Sequence, residues 1–157
     1  MKMNATLEKK LALISEKKAL QGRVLTASAD KNELISFRKE CISELNSDIP
    51  EQYAQFLRTH NGLTIEGVFV YSTQRLPISG SSGKTLAFIE MNLFSRELEG
   101  MDKFLFFGDS DQDEYVLELD TGKYQVRDKQ AISNVYEEFD EFDGILEFML
   151  DMMLRRI

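Results

Sequence analysis

Apolar residues recur at helical spacing near the beginning of the chain. Between Thr6 and about Leu20, one side of the segment carries Leu7, Leu11 and Ile14, while lysines occupy the other side. Apolar and polar sides that repeat every 3.6 residues are typical of an amphipathic helix. The segment is therefore predicted to pack its leucine side on the rest of the protein.

The same spacing predicts two more helices before residue 62. Asp30 is a suitable N-cap for the first, which ends near Asn46, and Pro50 suits the beginning of the second. The pair Asn61-Gly62 predicts a left-handed C-cap after the second helix. The residues expected to be buried are Leu34, Phe37, Cys41, Ile42 and Leu45 in the first helix, and Tyr53, Phe56 and Leu57 in the second.

The next apolar run predicts a strand. Residues Ile65 to Ser72 are expected to form one strand that is buried on both faces. A loop rich in Ser and Gly follows from Thr73 to Thr85. Beyond it the spacing becomes helical again, and the expected buried side of that helix consists of Leu86, Ile89, Leu93 and Phe94.

The stretch from Phe104 to Asp128 predicts an antiparallel meander. Its three runs are separated by an Asp-rich turn and by a tight turn in which Gly122 can adopt a positive φ. The predicted strands are Phe104 to Phe107, Glu114 to Leu119 and Tyr124 to Arg127.

An edge strand from Val135 to Phe139 and a C-terminal helix complete the predicted elements. Asp140 is a candidate N-cap, and Glu141 and Asp143 in the first turn complement the helix dipole. We expect the Met-rich apolar side of this helix to pack into the core, although methionines also suit an exposed partner-binding surface. That side consists of Phe142, Ile145, Leu146, Met149, Leu150 and Met153.

These elements predict a single α+β domain over residues 1–157. A central antiparallel sheet, with its meander around residues 104–128, is flanked by N-terminal helices and a C-terminal helix. A chain of 157 residues has the size of one domain and buries an ordinary core. Residues 1–45 form the helical N-terminal segment, and no repeat or linker divides the chain.

The chain is expected to be soluble and cytoplasmic. Its charged beginning does not fit a signal peptide, and no apolar run has the length of a membrane span. The single cysteine, Cys41, excludes an internal disulfide and is interpreted as a buried structural thiol. No membrane association is predicted.

Charge is distributed unevenly along the chain. Residues 1–96 contain 13 Lys or Arg and 10 Asp or Glu, whereas residues 97–151 contain 4 Lys or Arg and 17 Asp or Glu. The second half therefore has a net charge of −13, which disfavours direct binding of nucleic acid because phosphates are repelled. A basic protein is the expected kind of partner. Solubility alone is the other explanation for this acidity.

Two motifs resemble ligand-binding sites, but each lacks a residue that its site requires. The loop Ile78-Ser-Gly-Ser-Ser-Gly-Lys-Thr85 resembles a phosphate-binding loop, but Ile78 occupies the position of the first glycine. The alternating Asp109, Asp111 and Asp113 resemble a calcium loop, but Glu114 replaces its required glycine and strands are predicted on both sides. We expect a flexible surface loop and an Asp turn bonded to local backbone N–H groups. A nucleotide-binding enzyme using Gly80 to Thr85 remains an alternative.

No catalytic constellation is evident in the chain. The one histidine, His60, is expected to cap the end of its helix, and nothing around Cys41 or any serine marks a nucleophile. The sequence therefore predicts a protein that is not an enzyme and has no metal or other cofactor.

Three motifs, in order, resemble the SUKH superfamily of Smi/Knr-like domains. The first is the helix-to-strand segment IPEQYAQFLRTHNGLTIEGVFVYS, the second is FLFFGDSDQDEYVLELDTGKYQVRD, and the third is VYEEFDEFDGILEFML. They span residues 49–153. The chain differs from commoner members in lacking tryptophan and in its longer helical N-terminus.

The resemblance implies a non-enzymatic immunity-type function. Bacterial members mostly bind and neutralise a cognate toxin domain in the cytoplasm, often a basic nuclease or deaminase, and they share no catalytic residues. The alternative is a regulatory protein-interaction module without a toxin partner. The oligomeric state is left open. The candidate partner-binding residues are Asp109, Asp111, Asp113 and Glu114 in a first patch, and Glu137, Glu138 and Glu141 in a second.

Overall fold

A computed structural model describes residues 2–157 and confirms an α+β domain with one sheet. In the described residues, the helices are α1 Ala5–Leu20, α2 Lys31–Leu45, α3 Glu51–Thr59, α4 Phe88–Ser95 and α5 Phe142–Arg156, with a 3₁₀ turn at Met101–Lys103. The strands are β1 Leu63–Ile65, β2 Val68–Val70, β3 Phe104–Asp109, β4 Asp113–Glu118, β5 Lys123–Asp128 and β6 Val135–Phe139. No helix within these residues is both long and apolar enough to span a membrane.

The six strands form one antiparallel sheet in sequential order, β1 to β6. Each strand pairs with the next along the chain, so the predicted meander and the predicted edge strand are both confirmed. The sheet has two edges, β1 at one side and β6 at the other. Each edge strand leaves the backbone groups on its outer side without a strand partner.

The prediction of one strand from Ile65 to Ser72 is wrong. Ile65 pairs with Val68 across a two-residue turn, which makes β1 and β2 a tight hairpin. Both turn residues have positive φ, 48° at Glu66 and 78° at Gly67. Hairpin turns of two residues favour this left-handed geometry because it matches the twist of the strands. The sequence pattern conceals the turn, since Glu66 is not a typical residue at such a position.

An aromatic cluster lies between the sheet and two helices. The ring of Tyr53 in α3 is 5.0 Å from that of Phe107 in β3 and 5.3 Å from that of Phe142 in α5. The Tyr53 hydroxyl donates to the Tyr71 carbonyl at 2.7 Å. The whole predicted stripe of α5 is buried, so its Met-rich side packs into the protein's own core as expected.

Helix α1 lies against α5 and adds to this core. Its predicted residues Leu7, Leu11 and Ile14 are all buried. At the rim, Lys10 Nζ lies 2.7 Å from Glu147 and 2.5 Å from Asp151 of α5. The two helices are thus joined by an apolar contact and by a charged one.

The predicted stripes of α2 and α4 are only partly correct. Ile42, Leu93 and Phe94 were expected in the core, yet they are 53%, 41% and 67% exposed. Phe88, Ile89 and Asn92 form the buried side of α4 instead. A helix of eight residues offers too few positions for periodicity to assign its buried side.

Asn92 explains how α4 packs on the sheet. The strand β2 pairs with β3 only at Asp109 and Gly108, so the backbone of Phe106 has no strand partner on that side. The buried Asn92 side chain takes its place, because its Nδ2 donates to the Phe106 carbonyl at 2.8 Å and its Oδ1 accepts from the Phe106 N–H at 2.7 Å. An amide side chain therefore continues the ladder where a strand is missing.

Two predicted helix ends differ from the structure. Helix α3 ends at Thr59 and is followed by its C-cap His60, which is extended with φ −141°; of the pair Asn61-Gly62, only Gly62 has a positive φ. The Asp140 side chain does not cap α5, because Glu141 precedes the helix without a side-chain cap and Asp140 pairs with Lys123. The predicted caps of α2 are correct: Asp30 accepts from Glu33 N–H, and Asn46 is left-handed.

We predict that Asn92→Ala destabilises the protein by about 2–4 kcal/mol, because it leaves two buried backbone groups of Phe106 without partners. Urea unfolding measures the change. Asn32→Ala on the exposed side of α2 is the control and should alter the free energy of unfolding by less than about 0.5 kcal/mol. Equal effects of the two substitutions would contradict the bridging role of Asn92.

Candidate functional site

The first acidic patch lies at the turn between β3 and β4, and two of its carboxylates are buried. Asp109 is 5% exposed and Asp113 is 8% exposed. The Tyr71 hydroxyl donates to Asp109, and Lys129 Nζ lies 3.1 Å from the other oxygen of that carboxylate. Burial raises the pKa of Asp113. These two groups are held inside the protein and are not available on its surface.

Glu114 lies beside Asp109 on the same face of the sheet, since the two residues are directly paired across β3 and β4. The pKa of Glu114 is raised to about 7, mainly by burial and also by the neighbouring Asp109 carboxylate, while Lys129 acts to lower it. Because little solvent reaches Glu114, its charged form is disfavoured relative to its neutral form.

Asp111 is the exposed member of the first patch. Its side chain is 64% exposed, and Arg156 of α5 lies 2.8 Å from its Oδ1. The Arg156 guanidinium lowers the pKa of this carboxyl. The first patch therefore presents one carboxylate to solvent, and that carboxylate already has a positively charged neighbour.

The aspartates of this turn are held mainly by side chains from other elements. The expected bond to a local backbone N–H is found at Asp111, whose carboxylate accepts from its own backbone N–H, whereas the Asp113 N–H donates to Ser110 Oγ at 3.3 Å. Strands lie on both sides of the turn, as predicted. Within residues 2–157 no group of three or more His, Cys, Asp or Glu side chains has a metal-binding arrangement.

The second acidic patch lies on β6 and at the beginning of α5. Glu137, Glu138 and Glu141 are all exposed. In the described part of the chain, neither Glu137 nor Glu141 has an ion-pair partner. This group is open to solvent, unlike most of the first patch. We call Val135 to Glu141 the β6 edge.

Apolar side chains accompany the carboxylates of the β6 edge. Val135 is 43% exposed and Tyr136 is 55% exposed, although both belong to a strand. The pairing with β5 is irregular at Tyr136, where the register shifts between Val126 and Arg127. A bulge of this kind is common at sheet edges and redirects side chains. The β6 edge thus combines free backbone groups, an aromatic ring and negative charge.

A buried polar network fixes Glu138 in place. Arg127 is 7% exposed and lies over the Phe104 ring, 4.6 Å from its centroid. Its Nε donates to Gln125 Oε1 at 2.7 Å, and Gln125 Nε2 donates to Glu138 at 2.9 Å. The sequence pattern misses this network, because polar residues that alternate along β5 are typical of a solvent-facing side.

Three other features singled out in the sequence have clear positions in the structure: Cys41, His60 and the loop from Ile78 to Thr85. Cys41 is fully buried, and burial raises the pKa of its thiol to about 12. His60 is the C-cap of α3, as predicted, because its backbone N–H donates to the Phe56 carbonyl at 2.8 Å, while its ring Nδ1 lies 2.8 Å from the Thr26 carbonyl oxygen. The loop from Ile78 to Thr85 folds back on itself, and it leads into α4 only after Ala87.

Several amide groups of that loop are bonded within it or to the residue segment just before it. Ile78 N–H donates to Gly83, Ser81 N–H donates to Ile78, and Thr85 N–H donates to Leu76. Phosphate-binding loops instead point free N–H groups at the ligand. The geometry therefore does not favour a phosphate cradle here.

Comparison with known families now identifies the class of protein. The model of the SMI1 / KNR4 family (SUKH-1) matches residues 29–149. The chain belongs to this family, and the resemblance drawn from its three motifs is confirmed. A search of curated proteins finds no match to the chain.

We predict that Glu114→Gln makes the protein more stable at pH 8 by about 1–3 kcal/mol and changes its stability little at pH 5. A carboxyl whose pKa is raised on folding binds more protons in the folded state. The wild type therefore loses stability as the pH rises from about 4.5 to about 7. Urea unfolding of both proteins at pH 5 and at pH 8 measures the difference in their free energies of unfolding.

Glu137→Gln is the matched control, since this exposed side chain should leave the free energy of unfolding within about 0.5 kcal/mol at either pH. If the stability of Glu114→Gln depended on pH in the same way as that of the wild type, Glu114 would not be the group that causes the loss of stability at higher pH.

Proposed function

We propose that this protein is a non-enzymatic immunity-type protein that binds a cognate basic toxin domain, of nuclease or deaminase type, and neutralises it. The observation that carries the proposal is the β6 edge, where Glu137, Glu138 and Glu141 are exposed and a strand edge is open. The membership of the SUKH-1 family supports a protein-interaction role.

The electrostatics of the β6 edge suit a basic partner. Lys10, Lys129 and Arg156 each pair with carboxylates elsewhere in the acidic half, and Lys123 pairs with Asp140 of the β6 edge. Glu137 and Glu141 have no such neutralising side chain among the described residues. Unpaired surface charges steer a partner of opposite charge and raise the association rate.

The β6 edge also offers a place for apolar contacts. Tyr136 projects from the strand with its hydroxyl 2.8 Å from Asp128, which orients the ring. Tyrosine is enriched at the centre of protein interfaces, where charged side chains form the rim. We therefore place Tyr136 and Val135 at the centre of the interface and the three glutamates around them.

The first patch has a smaller part in this proposal. Asp109 and Asp113 are buried, and Glu114 is half-buried, so Asp111 is its accessible carboxylate. The two patches can be separated experimentally because the first lies at the turn between β3 and β4 and the second lies on β6 and at the beginning of α5. Reversing charge at Asp111 and Asp113 together should therefore reduce partner affinity less than reversing it at the β6 edge.

The test is co-expression with the product of the neighbouring gene, followed by pull-down and a growth-rescue assay. A co-purified toxin domain whose lethality is relieved supports the proposal. A neighbouring housekeeping operon, without rescue or pull-down, would favour the alternative of a regulatory interaction module and overturn the immunity function.

We predict that Glu137→Lys, Glu138→Lys and Glu141→Lys together lower the affinity for the toxin domain by at least about tenfold and weaken its salt dependence. Isothermal calorimetry at two ionic strengths measures both effects. The matched control reverses three exposed carboxylates on α1 and α2, namely Glu16→Lys, Glu40→Lys and Glu44→Lys. Equal losses in both triple variants would point to net charge rather than to the β6 edge.

A further inference from the structure

A groove of about 710 Å³ lies at the opposite edge of the sheet from β6. Its three walls are β1, the segment Arg23–Ser28 and the loop segment Leu76–Ser81. Its volume falls in the range of about 300–1,000 Å³ that is typical of ligand sites. We call it the β1 groove, and it is distinct from the acidic surface proposed for the toxin.

The outer edge of β1 lines the β1 groove with unpaired backbone. Ile65 and Val68 close the two-residue hairpin, so the next pair, Thr64 and Phe69, is not hydrogen-bonded across the strands. The Phe69 carbonyl confirms this alternation, because it points away from β1 and towards β3. It lies so close to Gly108 of β3 that a Cβ on that glycine would be only 2.1 Å from the carbonyl oxygen. The N–H and C=O of Thr64 therefore point away from β2, towards the groove.

The Thr64 side chain adds a further unmatched group. Its Oγ1 is buried and has no hydrogen-bond partner. A buried hydroxyl without a partner costs about 1–3 kcal/mol, so native proteins usually satisfy it. Thr64 thus brings its N–H and C=O to one wall of the β1 groove, with a buried hydroxyl beneath them, and the described part of the fold satisfies none of the three groups.

The walls of the β1 groove are held in place by contacts between them. Ser79 Oγ accepts from the Val24 N–H at 3.1 Å, and the Arg23 guanidinium lies against Gly80, where a Cβ would be 2.1 Å from its Nη1. Thr26 Oγ1 donates to the Gly62 carbonyl at 2.8 Å. These bonds keep the groove open beside β1.

The charged residues of the β1 groove favour an acidic ligand. Arg23 has no carboxylate partner within residues 2–157, whereas Lys18 is paired with Glu66 at 3.2 Å. The one carboxylate on the wall, Glu33, already accepts bonds from Asn61, Thr73 and Gln74. The apolar part of the lining comes from Leu25, Leu76 and Ile78.

We infer that the β1 groove binds an extended peptide segment as an added strand on β1. The peptide backbone would bond the N–H and C=O of Thr64, apolar side chains would contact the Leu76 wall, and an acidic side chain would pair with Arg23. Strand addition to an open sheet edge is a recurring mode of peptide recognition. The N–H groups of Ile78 and Ser81 in the adjoining loop already donate to carbonyl oxygens of that loop, which leaves fewer donors for a phosphate and disfavours a nucleotide as the occupant.

The test is selection of a phage-displayed library of random peptides, about eight residues long, on the full chain. We expect enriched peptides that alternate apolar residues with Asp or Glu. The affinity of a synthetic enriched peptide should fall by about tenfold or more in Thr64→Pro, which removes the outward N–H, and in Arg23→Glu.

Two substitutions serve as matched controls. Glu138→Pro makes the same backbone change on the opposite edge strand, and Lys39→Glu reverses one exposed charge on α2. Neither should change peptide affinity, and circular dichroism checks that each variant is folded. If Thr64→Pro is unfolded, the inference is decided by comparing the peptide affinity of Arg23→Glu with that of Lys39→Glu.

Three results would overturn the inference. The first is the absence of any enriched peptide, and the second is an enriched peptide that still binds both groove variants. The third is a rise in melting temperature with millimolar ATP that Arg23→Glu abolishes, without peptide binding, which would assign the groove to a nucleotide. The toxin-neutralising proposal stands or falls separately, because its charge-reversal variants lie on the other edge.

Discussion

The packing of Tyr53 is the contact on which the rest of the fold depends. Its ring lies within 5.3 Å, between ring centroids, of Phe88 in α4, Phe107 in β3 and Phe142 in α5. Its hydroxyl bonds the Tyr71 carbonyl, just beyond β2. One side chain therefore joins three helices to the sheet, and because it is fully buried no solvent competes with these contacts. Phe107 of this cluster lies where the ladder between β3 and β4 is irregular.

This core leaves two sheet edges with different chemistry. The β6 edge carries exposed carboxylates and an aromatic ring, whereas the β1 groove carries an unpaired arginine and a polar strand edge. Sequential order places β1 and β6 at opposite ends of one sheet. A basic partner and an acidic segment could bind at the same time, because neither edge contributes residues to the other. The net charge of +3 on residues 1–96 and −13 on residues 97–151 matches this division.

The acidity of the second half is less uniform in space than along the chain. Asp109, Glu118 and Asp140 each have a lysine or arginine partner, and Asp113 is buried. Internal pairing uses the cations of this region, so its excess negative charge lies on carboxylates without an ion-pair partner among the described residues, such as Glu137 and Glu141. Partial burial disfavours the charged form of Glu114, so the beginning of β4 is electrostatically costly near neutral pH.

The sequence by itself determined the helices with long apolar stripes, the meander and the family. Helices α1 and α5 and the strands from β3 to β6 follow from periodicity, because each has enough positions for one face to differ from the other. Tertiary structure alone decided which acidic residues reach solvent, since burial of Asp109 depends on Tyr71 and Lys129, which are distant in sequence. It also decided the hairpin at Glu66, the exposure of Phe94 and the bridging role of Asn92. The β1 groove could not be predicted for the same reason: its three walls come from separate segments, and only the packed chain brings them together.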